Sequence, residues 1–166
     1  CALPIFAAAD AEGDTLAFTA GKAVLNRMQH TLALDGQVHV LDGPQIIDAQ
    51  TCLAQLSAEE DRVTRIELRG DARVTGGRSS VESMTARDID LDYAEDGEAL
   101  QHAFLDGDAA IAMTADGGGT GRTMRGQSLD LRLASDGALT SVVGRGGVVL
   151  GLPVTGGAGA RSIKAR

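Results

Sequence analysis

IELRGDARV, residues 66–74, sets apolar Leu68, Ala72 and Val74 at even spacing around a central Gly70, and the chain writes the same pattern three more times. LALDGQVHV (32–40), AFLDGDAAI (103–111) and VVGRGGVVL (142–150) share it, with glycines at Gly36, Gly107 and Gly146. From Gly36 through Gly70 and Gly107 to Gly146 the spacings are 34, 37 and 39 residues, as expected of one structural unit with loops of varying length.

A second piece recurs between these stretches. MTARDIDLDY (84–93) matches MRGQSLDLRL (124–133), and SIKAR (162–166) begins it again. In both pieces apolar residues alternate, as in Ile89, Leu91, Tyr93 and in Leu129, Leu131, Leu133. Period two is the signature of a strand with one buried face, so Asp88, Asp90, Asp92, Asp130 and Arg132 are expected on the solvent face. Asp96-Gly97 and Asp136-Gly137 follow the second piece, and Asp-Gly between alternating strands is a hairpin signal. AQTCLAQLSAEED (49–61) is rich in helix formers, but aligning Ala49 with Ala86 puts Cys52, Ala54 and Leu56 where Ile89, Leu91 and Tyr93 stand. The repeat therefore predicts a strand there.

The expected fold is all-β: an elongated antiparallel β-jelly roll or sandwich of tandem hairpins, each unit covering its neighbour's apolar face. Composition agrees. Twenty-two glycines against three prolines suit many turns, and a 43% hydrophobic chain with only 2% aromatic residues gives an aliphatic core. A net charge of −8 with so few aromatics removes the attraction and the stacking that nucleic-acid binding requires. No run approaches the roughly 20 apolar residues of a membrane-spanning helix. Residues 1–14 read as a leader or linker and 15–166 as the β-repeat domain, with the strand at SIKAR expected to continue into further chain.

Several constellations resemble chemistry without completing it. Asp88, Asp90 and Asp92 have the spacing that opens a calcium loop, but Tyr93 occupies the place of the loop's glycine. In GGGTGRT (117–123), Asp116 and Arg122 replace the first glycine and the lysine of a phosphate-binding loop. His30, His39 and His102 are far apart, and Cys1 and Cys52 carry no spacing that demands a bridge. No catalytic residue, metal site or cofactor is assigned, and a carbohydrate-active jelly roll is disfavoured by the lack of aromatic platforms.

The recurrent L-x-G-x-A-x-I/V strand, the A-x-x-I/L-D-L strand and the D-G-x-L turn, over residues 15–166, resemble the OstA-like domains of the LptA and LptC class. The resemblance implies a twisted β-jelly roll that carries lipopolysaccharide across the periplasm, its acyl chains held in an apolar groove. It implies partners as well: other OstA-like proteins joined edge to edge, and an inner-membrane ABC transporter complex. The chain lacks the inner-membrane helix of LptC-type proteins, so the reading is the periplasmic part of a larger LptC-like protein, tethered by a segment outside this chain. Alternation assigns Val38, Val40, Ala72, Val74, Ala109, Ile111, Met113, Val148, Leu150 and Leu152 to the groove. The alternative is a structural β-repeat that only self-assembles through its strand edges.

Overall fold

The computed structural model describes residues 4–9, 15–76, 79–97, 99–114, 121–152 and 161–165. Among them are twelve strands and no helix: β1 (Pro4–Ala9), β2 (Thr15–Thr19), β3 (Lys22–Asn26), β4 (Thr31–Asp42), β5 (Gln45–Leu56), β6 (Val63–Thr75), β7 (Val81–Tyr93), β8 (Leu100–Met113), β9 (Thr123–Leu133), β10 (Leu139–Arg145), β11 (Val148–Leu152) and β12 (Arg161–Ala165). They form one open antiparallel sheet in the order β1-β2-β4-β5-β6-β7-β8-β9-β11-β12. Strand β3 extends β2 along β4, and β10 extends β11 along β9, so each of these pairs is a long strand broken in the middle.

The 49–61 segment is strand β5 for most of its length, with Cys52 and Ala54 buried and Leu56 half-buried, so tertiary context overrides helix propensity there. Both Asp-Gly turns form. Gly97 and Gly137 have φ of 75° and 81°, and their N–H groups donate to the carbonyls of Ala94 and Ala134. Pro4–Ala9, in the stretch read as leader or linker, pairs as β1 with β2.

The repeated glycine marks a corner in the middle of every second long strand. Gly36-Gln37, Gly70-Asp71 and Gly107-Asp108 have φ of 83° and 51°, 81° and 47°, and 83° and 51°, and the ladder skips register at each. Gly146-Gly147, with φ of 72° and 63°, make the break between β10 and β11. At Gly36, Gly70 and Gly107 two successive residues in the left-handed region oppose a single residue on the following strand, Gln50, Arg87 and Gln127 in turn, a bulge that bends and twists the sheet. Gly70, Gly107 and Gly146 lie over the side chains of Gln50, Arg87 and Gln127, and Gly36 lies over Gly21. Alternation alone did not reveal this. It treated each unit as one even strand, whereas the strand turns at the glycine and then resumes its inward parity.

The bend closes the sheet on itself. β7 is thirteen residues long, so in a flat sheet its first and last residues would stand about 40 Å apart. Yet Ser80, just before β7, meets Gly137 and Leu139, just beyond the far end of β9. The Ser80 N–H donates to the Gly137 carbonyl at 3.0 Å, and the Leu139 N–H donates to Ser80 Oγ at 2.8 Å. One hairpin earlier, the side chain of Gln45, at the start of β5, lies beside the hydroxyl of Tyr93, at the far end of β7. In both places the end of one strand reaches the beginning of the strand two places before it. The molecule is a twisted roll with two arms, a corner along one side and a seam along the other.

Candidate functional site

The inner surface of the roll is built in rows that run across the strands. On one arm Phe18, Val40, Ile47, Val74, Met84, Ile111, Met124 and Leu150 are successive register partners. On the other, Leu34, Cys52, Leu68, Ile89, Leu105 and Leu129 form a second row, and Leu25, Leu32, Ala54, Ile66, Leu91, Ala103, Leu131 and Val142 a third. Close to the corner the residues are small: Ala72 pairs Ala86 and Ala109 pairs Gly126. Leu68, Ile89, Leu91, Leu105, Leu129 and Leu131 are completely shielded from solvent. No described polar or charged residue is buried.

Six of the ten residues assigned to the groove, Val38, Val40, Ala72, Val74, Ala109 and Ile111, are buried in this one cluster. Met113 is half-buried and packed against it. Val148, Leu150 and Leu152 are also half-buried, because they lie near the end of the sheet where fewer strands cover them. The second and third rows were absent from the assigned groove, although the same alternation runs through them.

Burial falls off toward the β3 end. Leu25 belongs to the third inner row but is 50% exposed, and Met28 in the following turn is 94% exposed. The roll is therefore covered in its middle strands and open at this end.

Two titratable side chains belong to this interior, Cys52 within the cluster and Tyr93 packed against it. Burial pushes the Cys52 thiol up to about 12. It pushes the Tyr93 hydroxyl well up too, with the Asp42 carboxylate adding to the effect and the Gln45 side chain opposing it. Both groups stay neutral at physiological pH, so the lining presents no charge.

The outer face is its opposite. Asp88, Asp90, Asp92 and Asp130 lie on the outer face, as the alternation predicts, and are half-buried there in a lattice of contacts. Arg65 pairs Asp92 at 2.8 Å, Arg69 pairs Asp90 at 2.6 Å, and Arg87 pairs Asp106 at 3.1 Å. The ring nitrogens of His102 lie 3.1 Å from Asp92 and 2.9 Å from Asp130, joining β7, β8 and β9. The strand pattern and these arginines account for the aspartate spacing that resembled a calcium loop. Most of the glycine-rich 117–123 segment lies outside the described residues. Cys52 is a free, buried cysteine, and Cys1 also lies outside the described residues.

What this arrangement offers is a long aliphatic interior with neutral walls, wrapped in a charged exterior. No family model matches the sequence, and no curated protein matches it. Among solved structures the chain is similar to LptH of Pseudomonas aeruginosa, described as the LptA homologous periplasmic component of the conserved lipopolysaccharide transport device. The TM-score is 0.54 at 14% identity, over 91% of this chain and 94% of that one. The fold is thus the LptA-like twisted β-jelly roll expected from the repeat.

Proposed function

We propose that the protein is a non-catalytic, periplasmic lipid-binding bridge component of lipopolysaccharide transport, holding acyl chains between the two arms. The observation that carries this reading is the uninterrupted aliphatic interior, spanning eight strands without a buried polar or charged residue among those described, in a roll of the LptH type. Each methylene moved from water into such an interior gains about 0.8 kcal/mol. The wall that would receive it comprises Val38, Val40, Ala72, Val74, Ala109, Ile111, Met113, Val148, Leu150 and Leu152, together with the rows of Leu25 and Leu34.

The acidic exterior repels phosphorylated headgroups, so these remain in solvent while the acyl chains are buried. Within the transport class the chain fits the periplasmic part of an LptC-like protein, working with an inner-membrane ABC transporter complex. The sheet ends in strands β1 and β12, and these edges suit strand-to-strand joining with other OstA-like proteins.

Photo-crosslinking to lipopolysaccharide tests the reading. A benzophenone side chain placed inward at Leu25, Met113 or Val148 is expected to capture lipid, and the same group placed outward at Asp90 is not. Equal or absent capture at the inner positions leaves the interior as an ordinary packed core and favours a structural β-repeat that self-assembles.

A further inference from the structure

We propose that the seam is a gate: the roll admits an apolar chain sideways, by parting the Ser80–Gly137 and Tyr93–Gln45 latches while its arms swing about the glycine corner. This rests on the lipid-binding reading and adds the route by which the interior is reached.

The argument is mechanical. Parting two neighbouring strands breaks a main-chain ladder, and between β7 and β8 that ladder extends from Val81–Met113 to Tyr93–Leu100. Parting the arms at the seam leaves every ladder intact, because the latches are made by turn backbone and by side chains. The seam also stands directly over the interior. Val81 and Leu133, which flank its Ser80 latch, are 3% and 7% exposed, and Tyr93 packs against the buried cluster.

A hinge is already present on the opposite side. The left-handed pairs at Gly70, Gly107 and Gly146 lie on alternate strands, and each interrupts the register of its strand at the same point of the repeat. Access from the β3 end would instead require a chain to displace the fully covered residues Leu68, Ile89, Leu105 and Leu129 one after another.

Cys52 is a built-in reporter, since the chain has two cysteines and Cys1→Ser leaves it as the sole thiol. In that background Ser80→Ala and Tyr93→Phe each remove one latch hydroxyl and nothing from a ladder. Each is expected to raise the rate at which Ellman's reagent labels Cys52 by about twofold to tenfold, the population equivalent of one hydrogen bond. Uptake of cis-parinaric acid, a fluorescent fatty acid, is expected to accelerate by the same factor. In a Cys1→Ser, Cys52→Ala background, a bismaleimide joining Gln45→Cys to Tyr93→Cys is expected to block uptake while the far-ultraviolet spectrum stays native.

The two readings fail differently. If the unmodified protein takes up no parinaric acid, the lipid reading falls, and Cys52 labelling still decides whether the seam opens. If uptake occurs but neither the latch variants nor the crosslink changes its rate, the chain enters by another route and the gate is refuted. Labelling that rises only in step with global unfolding, followed by urea titration of the same variants, also refutes it.

Discussion

Replacing Gly107 by alanine should destabilise the roll far more than the same change at Gly147, although both glycines sit in the left-handed region at the corner. Their φ angles are 83° and 63°. At Gly147 a methyl group meets nothing within 4 Å. Only the backbone cost remains there, about 1–2 kcal/mol, less about 0.4–1 kcal/mol recovered from the stiffer unfolded chain. At Gly107 the methyl would land 2.8 Å from Arg87 Cβ and 3.0 Å from its Cζ. The Cβ atom is fixed to β7, so no change of rotamer removes the clash, and β7 and β8 must separate locally. Overpacking of this kind adds about 1–3 kcal/mol. Urea denaturation should therefore place Gly147→Ala within about 1.5 kcal/mol of the parent and Gly107→Ala about 2–4 kcal/mol below it. A second substitution sharpens the test. Gly36 lies over Gly21, so the chain already contains a corner without an opposing side chain. Arg87→Gly copies that arrangement and should recover about 1–3 kcal/mol of the Gly107→Ala loss in a double-mutant cycle. Equal stabilities for the two alanine variants, or no coupling between positions 87 and 107, would refute the account of the corner.

Other predictions follow from the interior and the outer lattice. Leu68→Ala removes a fully covered side chain and should cost about 2–5 kcal/mol, whereas Leu25→Ala at the open end should cost less than about 1 kcal/mol, as read from urea midpoints. Cys52 binds its proton more tightly in the folded state, where its pKa is about 12 against an ordinary 9.0. Its contribution is therefore intact below about pH 9 and is lost as pH rises toward 12, at about 1.4 kcal/mol per unit. Cys52→Ala should flatten the fall in stability between pH 9 and 11, and identical slopes in the two proteins would contradict the burial of the thiol. The Arg69–Asp90 pair is partly exposed, so a double-mutant cycle with Arg69→Ala and Asp90→Ala should give about 0.2–1 kcal/mol, shrinking in 1 M salt.

Alternation carried the strands because one face of each is apolar all along, and it reached even the helix-prone Cys52 segment, where Ala54 and Leu56 keep the period. The Asp96-Gly97 and Asp136-Gly137 turns were legible for a local reason: the second residue of each adopts a positive φ that glycine accepts without strain. The corner was only half legible. Its glycines stood out, but Gln37, Asp71 and Asp108 also have positive φ, and although aspartate accepts that region better than most residues, glutamine gives no such signal. The seam left no trace in the pattern. Ser80 and Gly137 are 57 residues apart, and a hydrogen bond between a strand start and a distant turn has no periodicity to read. The half-burial of Asp90 and Asp92 was hidden for a similar reason, because they pair with Arg69 and Arg65 of the neighbouring strand β6.

The corner and the seam together explain why one sheet can do what a sandwich does with two. In a sandwich the layers are separate sheets and can shift relative to each other as their side chains repack. Here Leu68 on one arm and Val74 on the other belong to the same strand, joined through Gly70-Asp71, so the register of one layer fixes that of the other. Movement between the arms is then restricted to rotation about the corner. Rotation opens or closes the space along its whole length without sliding one wall past the other. The gradient of exposure from Leu25, through half-buried Leu32, to fully covered Leu91 and Leu131 follows from the same geometry, since a residue near the sheet end has fewer strands to cover it. A neighbouring sheet that extended this one beyond β3 would cover Leu25 and lengthen the aliphatic interior without altering either wall.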